Sequence, residues 1–265
     1  MERRSLLTAL AAGVAAALAG CSSAKRSATT TAPHSSPNST ATKAPASTRV
    51  FHAPHGIVKA PVPRGTLYML PGTGNNVALT VDDGTDPRVV AGYAKLAKDT
   101  GLRLTFFCNG VNPSWTESAS ALRPLLEEGQ IFMANHTWSH PSLLSLSSAE
   151  LTDQVRRNET FLKNTYGVLG RPFLRPPFGY RNARVDAQLA DLGYPAVTMW
   201  YGSLADSTVL NPKRIVVHAE ESLKAGHLVI GHANHDPVLK VYDQIVHIIT
   251  SRHLQPVHLG DVYQV

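Results

Sequence analysis

The feature that most constrains this fold is a repeat of short apolar runs, each followed by a helical pattern and a stop. Residues 77–82 form such a run, Pro87 opens a helical stretch over 87–100, and Gly101 ends it. Further runs at 102–108, 131–135, 172–175, 196–200, 227–231 and 256–259 read as strands, with helices expected within 114–128 and over 147–166. Strands that alternate with helices pair in parallel, and about seven such units favour closure over an open sheet. The expected architecture is therefore α/β, a (β/α) barrel in a single domain. Residues 51–71, rich in Pro and Gly, are expected to form an irregular lead-in or a hairpin closing one end.

Catalytic groups of such barrels sit at the C-terminal ends of strands, so polar residues should recur just past each run. The first run ends in Asp82-Asp83-Gly84. Neighbouring strand residues face opposite ways, so both carboxylates reach one mouth only if the backbone breaks there, which Gly84 permits. Two close carboxylates raise each other's pKa unless a cation neutralises one, which points to one ligand and one base. Past 131–135 come His136 and His140, whose spacing places both on one face of a helical turn. Asp83, His136 and His140 then form a two-His, one-carboxylate set with positions left for water and substrate. Zinc is the default hydrolytic ion for it, and other divalent metals fit. Arg175 precedes a stiff Pro176-Pro177-Phe178-Gly179 turn and can pair with Asp82. His232 lies just past the sixth run, where an imidazole can donate a proton near neutral pH.

Together these segments resemble the polysaccharide deacetylase family, also called the NodB-homology or carbohydrate esterase family 4. Thr80-Val81-Asp82-Asp83-Gly84 is similar to its T-F-D-D-G motif, and His136–His140 to H-[ST]-x-x-H. Arg175–Phe178 is similar to R-x-P-[YF], and Ile230–His232 to L-x-H. The resemblance covers about residues 67–265 and implies a distorted (β/α) barrel. It also implies that Asp82 is the general base, that Asp83, His136 and His140 are the metal ligands, and that Arg175 partners Asp82. His232 would be the general acid, and the backbone N–H of Phe178 would hold the oxyanion.

One motif departs. Where the family carries D-x-x-D-W, this chain has Ser203-Leu204-Ala205-Asp206-Ser207. Ser203 cannot supply the carboxylate that orients the acid histidine, and Ser207 cannot supply the aromatic wall of the acetyl pocket. His232 is accordingly expected to be less basic and less firmly held. Asp206 could orient it instead, with Trp200 or Tyr201 filling the pocket.

The implied activity is metal-dependent removal of acetyl groups from N-acetylated sugars of an envelope or extracellular polysaccharide, peptidoglycan foremost. Alternatives are an O-acetyl esterase on a polysaccharide such as xylan, or an impaired glycan-binding homologue. Residues 1–20 have the layout of a lipoprotein signal peptide, with Arg3-Arg4, an apolar run and small residues before Cys21. Cys21 is the expected lipidation site, followed over 21–50 by a Ser/Thr/Ala/Pro-rich tether and over 51–265 by the catalytic domain. A coil of ~28 residues reaches roughly 30 Å, which suits an enzyme anchored to the outer face of a bacterial membrane. The net charge of +6 has no basic stripe with interleaved aromatics, which argues against nucleic acid as a partner. The expected partners are an acetylated glycan and, through the lipid, the membrane, with the chain acting as a monomer.

Overall fold

The computed structural model describes residues 49–265, so the expected leader over 1–20, Cys21 and nearly all of the 21–50 tether lie outside the described residues. The strand–helix alternation is present. The first elements are β1 (Gly65–Leu67), β2 (Asn76–Asp83), α1 (Pro87–Thr100) and β3 (Leu104–Cys108). They are followed by α2 (Ser114–Glu117), α3 (Ala119–Glu127), β4 (Ile131–Asn135), α4 (Ser148–Tyr166) and β5 (Phe173–Leu174). Next come α5 (Ala183–Asp191), β6 (Ala196–Thr198), β7 (Gly202–Ser203), α6 (Pro212–Ser222) and β8 (Leu228–His232). The last are α7 (Tyr242–Ser251), β9 (Gln255–Pro256) and α8 (Leu259–Val262).

The main path of the sheet runs β1-β6-β5-β4-β3-β2-β8-β7, and every pairing in it is parallel. β9 adds to the start of β2 at Asn76 and Val77. This is a distorted (β/α) barrel, curled but not closed by a regular ladder. An isolated antiparallel bridge between Met69 and His227 spans the gap.

One expectation is corrected. The 51–71 segment is not a hairpin, because its residues 65–67 are the edge strand β1, parallel to β6. The helix expected within 114–128 is α3, and a shorter α2 precedes it, the two meeting at Ser118. The shorter, α2, is tied down by Trp115, whose Nε1 donates to Asp83 O at 2.8 Å.

β2 shows how the sequence pattern becomes layers. Val77, Leu79 and Val81 pack with α1 residues such as Val90, Tyr93 and Ala97, while Ala78 belongs to the opposite cluster, with Phe107, Ala134 and Phe173. Asp86 caps α1 by accepting from Arg88 N at 2.9 Å, Pro87 begins the helix, and Gly101 ends it in the left-handed conformation. The register then positions the chemistry. Asp82 pairs with Phe107 on one side and His232 on the other, and Asp83 pairs with Cys108. Cys108 in turn pairs with Asn135, the residue before His136.

Candidate active site

At the end of β2 the backbone turns one residue earlier than the glycine. Asp83 has φ 71 and Gly84 φ 92, so two successive left-handed residues bring both carboxylates to one mouth. Gly84 is required for a second reason. A Cβ there would lie 2.4 Å from the indole ring of Trp115. The loop 136–140 differs from expectation, because it is not a helical turn. Thr137 and His140 both have positive φ, and Asn135 Oδ1 accepts from Thr137 N at 2.8 Å. Asn109 Nδ2 donates to the carbonyls of His136 and Thr137, which braces the loop from β3. The irregular loop still aims both imidazoles at Asp83.

His136 Nε2 and His140 Nε2 each lie 3.2 Å from Asp83 Oδ1. His136 Nδ1 lies 2.7 Å from Arg175 O, and a carbonyl can only accept. Nδ1 therefore carries a proton, and Nε2 is the nitrogen free to bind a cation. Asp83 Oδ2 accepts from Asn234 Nδ2 at 2.6 Å, whereas Asp83 Oδ1 is buried with no hydrogen-bond partner. One atom from each of these three residues lies within 4.8 Å of the others, a donor set that fits a divalent cation.

Protonation in this cluster is set by competing effects. Burial alone would raise the Asp83 carboxyl. The close approach and charge of His136, with the charges of His140 and His232, outweigh it and hold Asp83 well below the usual carboxylate range. Burial lowers His136, but the charges of Asp82 and Asp83 more than compensate and raise it. His140 is lowered by burial and by the neighbouring His136.

Asp82 is held differently. Its Oδ1 accepts from Arg175 Nη1 at 2.5 Å, and its Oδ2 lies on the ligand side, 3.6 Å from His136 Nε2. Arg175 is fully buried inside the barrel, where four of its five N–H groups find acceptors. Nη1 also donates to Thr80 Oγ1, Nη2 to Met199 O and Nε to Thr198 O, and the guanidinium lies 4.2 Å over the Phe107 ring.

His232 faces the same mouth from β8. Its Nδ1 lies 2.9 Å from Asp206 Oδ1, and Asp206 Oδ2 accepts from His232 N at 3.2 Å. Asp206, not Ser203, is the carboxylate that holds it. Burial lowers His232, but the Asp206 bond and the charges of Asp82, Asp206 and Asp83 leave it raised. The expectation of a less basic, loosely held histidine is therefore corrected. Ser203 serves the backbone instead, its Oγ accepting from Ala205 N at 2.9 Å.

These groups open on a cavity of about 600 Å³ lined by Asp82, Asp83, His136, His140, Phe178 and His232, and also by Trp200, Ser203 and Ser207. Tyr201 does not line it and is 62% exposed, so of the two alternatives for the aromatic wall only Trp200 borders the cavity. Asn234, Asn109 and Trp115 join the site with no motif in the sequence to mark them. The one available signal for Asn234 was its position two residues past a strand-end histidine.

Comparisons with known proteins agree with this geometry. Residues 70–197 match the family described as polysaccharide deacetylase, a span that includes Asp82, Asp83, His136, His140 and Arg175 but stops before His232. A chitin deacetylase from a Pestalotiopsis species is 34% identical over 137 residues, covering 51% of this chain and 45% of that protein. The peptidoglycan-N-acetylglucosamine deacetylase PgdA of Listeria monocytogenes is 25% identical over 191 residues, covering 72% of this chain and 39% of its own length. The chain thus spans less than half the length of these two relatives. Among solved structures, the peptidoglycan deacetylase PdaC from Bacillus subtilis is 25% identical with a TM-score of 0.63, over 71% of this chain and 89% of that one.

Proposed function

We propose that this chain, whose residues 70–197 match the polysaccharide deacetylase family, hydrolyses the N-acetyl groups of envelope-polysaccharide sugars, with peptidoglycan as the substrate. One observation carries the reading. Three ligand atoms of Asp83, His136 and His140 converge between a carboxylate on Arg175 and an imidazole on Asp206, all at one cavity. A divalent cation, which Asp83, His136 and His140 would hold, would supply Lewis-acid polarisation of the acetyl carbonyl and lower the pKa of the attacking water.

The chain's own residues do the rest. Arg175 fixes Asp82 through Oδ1, leaving Oδ2 on the ligand side to take a proton from the attacking water. Asp206 fixes His232 through Nδ1, so Nε2 is the atom that gives a proton to the departing sugar amine. The raised pKa of His232 keeps that proton available above the ordinary imidazole range. Phe178 lines the cavity beside His140, where its backbone N–H would receive the oxyanion.

The test is acetate release from peptidoglycan and from chitin oligomers by metal-stripped protein, with and without added zinc. Release that appears only on restoring zinc supports the reading. No release from either substrate with zinc bound overturns it. For location, the reading is a lipoprotein acylated at Cys21 and held on the outer face of the cell membrane. Changing Cys21 to Ser should free the protein from membranes, and unchanged retention would count against the anchor.

A further inference from the structure

The loop that carries the metal histidines is held from behind by a relay of hydrogen bonds outside the cavity lining. Its first member is Asn135, the last residue of β4, which is fully buried. Asn135 Oδ1 accepts from Thr137 N at 2.8 Å and from Asn158 Nδ2 at 2.9 Å. Its Nδ2 donates to Val155 O at 3.1 Å and to the Tyr194 hydroxyl at 2.8 Å. The Tyr194 hydroxyl in turn donates to Glu159 Oε2. Neither Glu159 on α4 nor Tyr194 ahead of β6 lines the cavity.

The direction of each bond is forced by backbone groups, whose roles as donor or acceptor are fixed. Gly110 N donates to Asn158 Oδ1 at 2.7 Å and Cys108 O accepts from Asn158 Nδ2 at 2.8 Å, so the Asn158 amide can face only one way. Thr137 N and Val155 O orient Asn135 in the same manner. Asn135 therefore presents an N–H to Tyr194, and the one phenol proton is left for Glu159. Glu159 is the acceptor on which the relay ends. Burial raises its carboxyl, and the charge of Arg171, whose Nε lies 3.2 Å from Oε1, works against that rise.

Packing alone does not call for this hydroxyl. Tyr194 is buried in an apolar cluster with Leu151, Val155 and Leu189, where a phenylalanine ring would fill the same place. The loop does call for it. Thr137 has φ 68, and a β-branched residue stays in that region only when its surroundings over-determine it. Thr137 directly follows His136, so relaxation there would carry the His136 imidazole away from Asp83 Oδ1. We infer that Tyr194 and Glu159 are positioning residues for the metal-binding loop, acting on His136 through Asn135 and Thr137. This rests on the reading of Asp83, His136 and His140 as metal ligands.

The test uses the full chain, stripped of metal, with zinc affinity measured by chelator competition. Tyr194→Phe keeps the ring and loses the hydroxyl, so it should weaken zinc binding roughly tenfold, the scale of a partner that orients a ligand. The Thr137 amide, read by NMR hydrogen exchange in the metal-free chain, should lose protection in the same variant. Glu159→Leu should do both, since the Tyr194 proton then has no acceptor. Leu189→Ala, which opens a hole in the same apolar cluster, should lower the melting temperature and leave both readouts in place. Either readout unchanged in Tyr194→Phe, or both moved as far by Leu189→Ala, overturns the relay. If the unsubstituted chain binds no zinc, the metal reading falls, and Thr137 exchange alone decides the relay.

Discussion

At Asp82 one carboxylate oxygen accepts from Arg175 Nη1, while at Asp83 one accepts from Asn234 Nδ2 and the other faces two imidazoles. The two neighbours therefore predict opposite mutant behaviour. Asp82→Asn should retain metal, measured by elemental analysis, and lose about 10²–10⁴-fold in kcat, as expected for a general base. Asn234→Ala should do the reverse first. With Oδ2 released, Asp83 is free to rotate, and zinc affinity by chelator competition should fall about 10–100-fold. An unchanged affinity would show that Asn234 does not orient Asp83. Asp206→Asn should move the alkaline limb of kcat/KM to lower pH. The reason is that Asp206 is the chief partner raising His232, and the reaction needs its protonated form. Most of these residues were legible in the sequence because each lies within a few positions of a strand end and carries a side chain of known chemistry. Asn234 and Asn109 were not, since an asparagine near a strand end reads equally well as a turn former, and only the fold shows what its amide reaches.

The β2-to-α1 turn is the element on which the site depends. Its strand was legible from a β-branched apolar run, and its helix from Pro87 and Gly101. The turn itself was read only in part, because glycine explains one left-handed residue and Asp83 supplies another. The 136–140 segment shows the same limit. Spacing of four says that two side chains can meet, and a helical turn is only one backbone that achieves it. Strands β1 and β7 escaped notice because three and two residues carry too little periodicity to stand out from Pro- and Gly-rich surroundings. The turn makes its own prediction. Gly84→Ala must place a Cβ at φ 92 and against the Trp115 ring, so it should destabilise by about 1–3 kcal/mol for the backbone alone, with more from the clash. The clashing atoms, Nε1, Cε2 and Cζ2, all belong to the indole ring, which truncation to alanine removes. Adding Trp115→Ala should recover the steric part and not the backbone part, a coupling that a denaturation cycle measures. Strict additivity of the two changes would show that Trp115 does not set the cost.

For the whole molecule, the barrel carries a buried cluster of charge at one mouth, and a cation that binds only the folded chain stabilises it by mass action. At one hundred times its Kd, zinc should add about 2.7 kcal/mol, a rise in Tm of roughly 5–10 °C for a domain of this size. The size of that rise should depend on pH in a direction the site dictates. His136 is raised above its ordinary value in the metal-free fold, with Asp82 and Asp83 favouring its charged form. Its contribution to metal-free stability is fully present below the ordinary imidazole pKa and is lost as pH rises through the raised value. His140 is lowered by burial and by His136, so it gives up its proton at lower pH than His136 does. Zinc requires both imidazoles unprotonated at Nε2. Its binding should therefore displace a proton from His136, and the zinc-induced shift in Tm should grow as pH rises through the raised His136 value. Calorimetry in buffers of different ionisation enthalpy would count the proton directly. A shift in Tm that stays flat through that rise in pH, with no proton released, would mean that His136 is not a ligand, and the metal centre would have to be rebuilt around other groups.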